Sequence, residues 1–446
     1  MRSRFAVILP LAAMPMVLGA CGGHDATAPS PGRWVGAERI DDAPTDPFAA
    51  RVGFPALGVD GSGRAIAAWG QDAGIRSRQF VPGRGWDPSE ALPKIGPGNA
   101  VDPEVAVNGI GTAVAIWRQT ETPESGPLRV WSSRREPAGA WSAPALIDGG
   151  ELLDDTAQIA VALDPSGNAI ALWTSDGIVA ARGGADRAWR PSERLSRSGA
   201  SPVVAVDAAG RALATWSEVD SGLVRPYVPG RGWIDVTRFG PDGEGRYYGP
   251  GRVAVDSSGR AVLVWERRSG DHFGPIVVWA ARFDGRGWSG QSVISDRAVK
   301  SVFPVVALDS RGALAVWTQF AFPNVGADGI VSRRAPFTSS WETPLRFWTA
   351  QDPVTTALAM NLHGEAVAAW AQTERPTPSS DLQYRLWASR HAGGQWTPAE
   401  PLQAGPGWAQ SPAVAIDEQG NATVAWVEHA GATASIWANR FQVERR

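Results

Sequence analysis

A nine-residue interval recurs eight times along this chain and constrains its fold more than any other feature. It begins at an Asp or Asn (Asp60, Asn108, Asp164, Asp207, Asp256, Asp309, Asn361, Asp417) and ends at a Trp (Trp69, Trp117, Trp173, Trp216, Trp265, Trp317, Trp370, Trp426), with only Trp317 one residue nearer. A Gly stands three residues after each acid or amide, from Gly63 to Gly420. Successive acids are 48, 56, 43, 49, 53, 52 and 56 residues apart. A second series (Trp34, Trp86, Trp141, Trp189, Trp233, Trp288, Trp341, Trp396) alternates with the first, starting ahead of it at Trp34, so sixteen of the 22 tryptophans mark one repeated unit. That unit reads Pro-x-Val-Ala-Val-Asp-x-x-Gly-x-Ala-x-Ala-x-Trp, then a variable loop, a strand ending in Arg, and Gly-x-Trp.

Each unit spells four short strands. Strand A is the apolar run before the acid, such as Val203 to Val206. Asp-x-x-Gly is a turn, because a carboxylate can cap nearby backbone N–H groups and Gly tolerates positive φ. Strand B alternates small apolar residues up to the Trp, strand C ends in Arg, and Gly-x-Trp opens strand D. Four strands every 40 to 50 residues is the period of a β-propeller blade. The predicted class is all-β, an eight-bladed β-propeller of four-stranded blades. The last unit stops after strand C, near Phe441, and the missing strand D stands at the other end, from Gly32 to Ile40. Pairing them closes the ring and removes exposed sheet edges. The chain has 51 Gly and 35 Pro, which suits many turns.

The first residues read as an address. Arg2 and Arg4 form a positive start, and Phe5 to Val17 is apolar but too short for a comfortable membrane span. Leu18-Gly19-Ala20-Cys21 follows and resembles the lipobox of bacterial lipoproteins. The resemblance implies cleavage before Cys21, lipidation of its thiol, and membrane attachment through that lipid, with several acyl chains for durable anchoring. Gly22 rather than Asp after the cysteine implies the outer membrane of the bacterial cell envelope. The expected organisation is a signal peptide over residues 1–20, a flexible tether over 21–32 and one propeller domain over 33–446.

The repeats resemble secreted bacterial propeller repeats of the VAVDxxGxAxAxW, IWANR and GW type. They are distantly similar to the Asp-box of sialidases and to the tryptophan-docking repeats of quinoproteins, although the spacings differ.

Composition narrows the chemistry. A net charge of −3 excludes a strong electrostatic attraction to nucleic acid. A single cysteine excludes a disulfide framework and a Cys-based metal site. Five scattered histidines give no metal spacing, and no nucleophile elbow, zinc-helix motif or phosphate loop is present. No catalytic residue, cofactor or metal site is therefore predicted. The repeated Trp, acid and Arg residues are assigned to packing, turns and cross-blade contacts.

Function is expected where the repeat breaks, on the face carrying the D–A links and B–C loops. Aromatic residues outside the repeat gather there in blades five to eight: Tyr247, Tyr248, His272, Phe273, Phe303, Phe320, Phe322, Trp348 and Trp408. They are the predicted contacts for a protein or glycan partner. The polar residues two after each first Trp (Gln71, Gln119, Ser175, Glu218, Arg267, Gln319, Gln372, Glu428) could line a basin on the same face. Link carboxylates such as Asp102 and Asp352 could pair for glycoside chemistry. The leading expectation is a non-enzymatic binding scaffold. The alternatives are a carbohydrate-active enzyme, sialidase-like or another hydrolase or lyase, and an outer-membrane assembly scaffold.

Overall fold

The computed structural model describes residues 31–42, 52–122, 126–150, 153, 156–240, 247–268, 274–320, 328–337, 340–374, 383–403, 405, 407–431 and 433–444. They form eight antiparallel sheets in a ring and no helix. Each sheet runs in the order A-B-C-D. Blade two is representative: Ala100–Val107, Ala113–Thr120, Leu128–Arg135 and Ala145–Leu146.

The ring closes as the ends of the sequence predict. Gly32–Trp34 pairs with Thr433–Val443, placing Trp34 opposite Phe441, and Glu38–Arg39 pairs with the same strand further along. The first strand is thereby strand D of blade eight.

Eight separate hydrophobic clusters hold the ring together. Each contains one first-series Trp, which is at most 1% exposed, packed on the preceding blade. Trp117 of blade two lies on Ile66, Ala68 and Ile75 of blade one. Trp69 of blade one lies on Ala425, Val427 and Ile436 of blade eight, so the seam has the same kind of core as the other interfaces. The strand C arginines add a second tie. Arg182 covers Tyr227, Arg282 covers Trp341, Arg390 covers Phe441 and Arg440 covers Phe80, each reaching from one blade to the next.

The Asp-x-x-Gly turns form one face of the disc. Asp207 accepts backbone N–H bonds from Ala209 and Arg211, both at 2.9 Å. Gly111 shows why Gly recurs: its φ is +91°, and a Cβ there would stand 2.8 Å from the Asp60 carboxylate of the preceding blade. Side chains lace this face around the ring, as in Asn361 Nδ2 to the Asp417 carbonyl at 3.1 Å and Gln419 Nε2 to the Gly61 carbonyl at 3.3 Å.

The inner strands are half-exposed along much of their length, for example every residue of Val354–Met360, so a solvent channel runs down the axis. It opens on the opposite face, where the D–A links enter.

Candidate ligand site at the channel mouth

A repeated backbone device builds the mouth. In blades two, four, six and eight the residue six before the turn acid adopts positive φ: Asp102 (49°), Ser201 (55°), Phe303 (55°) and Ser411 (54°). A Pro follows each, and the pair faces a single residue of strand B, the buried Trp. This is a β-bulge, which bends the strand and redirects side chains. Thr355 repeats the conformation in blade seven, without Pro. A left-handed residue other than Gly costs roughly 1–3 kcal/mol, and such strain clusters at functional sites.

Two of these bulges, at Asp102 and Ser201, border a cavity of about 430 Å³. Phe54 of blade one, Asp102 and Glu104 of blade two, Gln158 of blade three, Ser201 of blade four and Arg252 of blade five line it. Arg118 also lines it and is ion-paired with Asp102. Phe54 occupies the same repeat position as Phe303, and both rings are open, at 54% and 42% exposure.

Two repeat columns carry the charge. Four residues before the turn acid, six blades have Ala or Val, but blade two has Glu104 and blade five has Arg252. In the position after the first Trp, blade two has Arg118 and blade five has Glu266. Glu104 meets channel water yet is ringed by protein. That poor solvation pushes its pKa up to about 7, Arg252 opposing the shift and Asp102 adding to it. Glu266 is raised to about 7 for the same reason, although the Phe303 N–H donates to it at 2.6 Å and Lys300 and Arg252 oppose the rise. Poor solvation within the ring of protein lowers the pKa of Arg252, although its side chain meets channel water, while Glu104 and Glu266 raise it.

None of the predicted aromatics among the described residues lines this cavity; Phe303 is exposed and donates its backbone N–H to Glu266. Tyr247 and Tyr248 pair through their backbones with Arg267 and Glu266, at the start of the strand that carries Arg252. Phe320 lies under the Lys300 ammonium, 4.8 Å from its ring centroid. Trp408 is 37% exposed and stacked on His429 at 4.0 Å. Trp348 is half-buried, 5.2 Å from Trp387 and bonded through its indole N–H to Gln372 at 3.1 Å. His272, Phe273, Phe322 and Cys21 lie outside the described residues. The cavity faces blades one to five, and it meets the aromatic sector at blade five.

The polar column after the tryptophans does not form a basin. Gln71, Gln119, Gln372 and Glu428 are buried and accept the indole N–H of Trp69, Trp117, Trp370 and Trp426 at 2.9–3.3 Å. A buried indole N–H calls for an acceptor, and in these four blades the column supplies it. Glu104, Arg252, Glu266 and Phe54 were not selected from sequence. Aligning the units would have found the first three, as charges breaking columns of small residues. Among the described residues no group of three or more His, Cys, Asp or Glu is arranged to hold a metal ion.

No family model matches this chain. No curated protein matches it either. Among solved structures it is similar to a protein of unknown function from Dyadobacter fermentans, with 13% identity over 79% of this chain and 97% of that one, at a TM-score of 0.46. It is similar to the polysaccharide lyase Uly1, with 11% identity over 87% of this chain and 90% of that one, at 0.47. A leech intramolecular trans-sialidase shares 9% identity over 91% of this chain and 70% of its own, at 0.35. Likenesses this distant carry no chemistry across.

Proposed function

We propose that this chain is a lipid-anchored envelope protein that captures a glycan or protein ligand at its channel mouth and binds it without chemical change. The cavity bordered by the bulges of blades two and four carries this reading. At about 430 Å³ it falls in the range of small-ligand sites, and its polar groups converge from several blades. A recess of this size suits a chain end or a few sugar rings better than a flat protein surface. The strained backbone around it is the expense of aiming side chains inward.

A glycan array and a pull-down from solubilised envelopes, both with the full chain, test the reading. Wild type should retain a ligand that Gln158→Trp, which fills the mouth, loses without a change in melting temperature. Retention by the variant, or no ligand for wild type, would reject it. The anchor is tested separately: a metabolic lipid label should appear on wild type and vanish in Cys21→Ser.

A second reading is a carbohydrate-active hydrolase or lyase. Two carboxyls near neutrality, Glu104 and Glu266, favour it, since acid–base catalysis needs groups poised close to the working pH. New reducing ends or unsaturated products after incubation with a bound glycan, absent in Glu104→Gln, would select it.

A further inference from the structure

We infer that the channel mouth recognises a saccharide bearing a single carboxylate, with Arg252 holding that carboxylate. The inference rests on the mouth being the ligand site.

Most arginines of the ring are occupied by the fold. Arg225 and Arg333 donate to carbonyls in or just after strand D of the preceding blade, Leu195 at 3.0 Å and Ile294 at 2.8 Å. Arg182, Arg390 and Arg440 cover aromatic rings of the next blade. Arg118, within the cavity itself, is held by Asp102. Arg252 is placed differently: its exposed side chain enters the cavity, and no described residue forms an ion pair or hydrogen bond with it. Glu104 is likewise exposed there without such a partner. The two charges occupy one repeat position in blades two and five and influence each other without contact. A ligand between them would complete both.

The chemistry of that ligand follows from the groups present. A guanidinium offers paired N–H donors in one plane, which match a carboxylate bidentately. Asp102, Glu104 and Glu266 share the neighbourhood and would repel a dianion such as a phosphate ester, whereas one negative charge offsets Arg252. Glu104, Gln158 and Ser201 suit hydroxyl groups, and the open Phe54 ring suits the apolar face of a sugar. A uronic acid residue combines all of these features.

Calorimetric titration of the solubilised full chain tests the assignment. The probes are galacturonate, glucuronate and mannuronate trimers, their neutral hexose counterparts, and a sulfated hexose trimer. At least one uronate should bind ten or more times tighter than its neutral counterpart, and Arg252→Gln should abolish the difference while melting like wild type. Should that variant not fold, Arg252→Lys keeps the charge, loses the fork, and should weaken uronate binding alone. Equal affinity for acidic and neutral trimers, or a sulfated trimer matching the uronates, overturns the inference and leaves the mouth as a binding site. If no trimer binds, the inference falls; a protein ligand captured in the pull-down and lost in Gln158→Trp would leave the mouth reading standing, and absence of that ligand too would reject both.

Discussion

The guanidinium of Arg440 lies 3.5 Å from the ring centroid of Phe80, joining the last blade to the first. Burial lowers its pKa to about 10, so it remains charged at neutral pH. Arg440 also donates to Thr423 at 3.1 Å, which fixes its plane. A double-mutant cycle with Arg440→Ala and Phe80→Ala should return a coupling of about 0.5–2 kcal/mol by denaturant unfolding. A coupling near zero would remove this contact from the forces that hold the seam.

Trp69 and Trp216 fill equivalent inter-blade positions, and both are at most 1% exposed. Replacing either by Ala should destabilise by about 3–5 kcal/mol, since a large cavity opens between blades. Trp69 belongs to the seam cluster, so its variant should in addition loosen Glu38–Arg39 from the final strand, read as faster amide exchange there. Equal exchange in both variants would mean that the seam is no more dependent on its core than other interfaces.

Trp348 and Trp408 should separate. Trp348→Ala removes contacts to Trp370 and Trp387 and should lower stability by roughly 2–4 kcal/mol. Trp408→Ala loses a stack on His429 at the surface and should stay within about 1 kcal/mol of wild type. Thermal and denaturant unfolding of the pair checks the contrast.

Glu104 and Glu266 give the fold an opposing response to pH. Their ordinary pKa is 4.5, and poor solvation among the surrounding protein raises each to about 7. Between those values the folded chain keeps protons that the unfolded chain has released, so stability falls as pH rises through the window. Glu104→Gln should gain stability relative to wild type on going from pH 5 to pH 8. Parallel pH profiles for the two proteins would contradict the raised value.

His391 acts in the other direction. It is buried against Trp396, and burial, reinforced by Arg334, lowers its pKa from 6.5 to about 4. Between those values the unfolded chain binds the extra proton, so stability rises with pH across that window, by on the order of 3 kcal/mol. His391→Gln should lose that acid-side slope in urea titrations from pH 4 to pH 7. Because the glutamates and His391 oppose one another between pH 4.5 and 6.5, single variants should tilt the wild-type profile in opposite directions.

The ring was legible from Trp69 to Trp426 because each blade must bury the same indole against its neighbour, which fixes both residue type and interval. Closure was legible because Trp34 and Phe441 each belong to half a unit. The mouth was harder to see. Asp102 and Glu104 look like link polarity until the bulge turns them inward, and the partners of their cavity come from five blades that meet only in the closed ring. Gln71, Gln119, Gln372 and Glu428 misled for the opposite reason: polar residues beside a loop lie under the surface when an indole N–H claims them.

Gly32 pairs with Val443, at the end of the final strand that lies beside the Asp-x-x-Gly turns. The polypeptide thus enters the disc from the face opposite the mouth. Only ten peptide steps separate Cys21 from Pro31, a reach of at most about 35 Å. Attachment through Cys21 would hold the turn face toward the bilayer and turn the mouth outward, like a dish on a short stalk, toward whatever diffuses past.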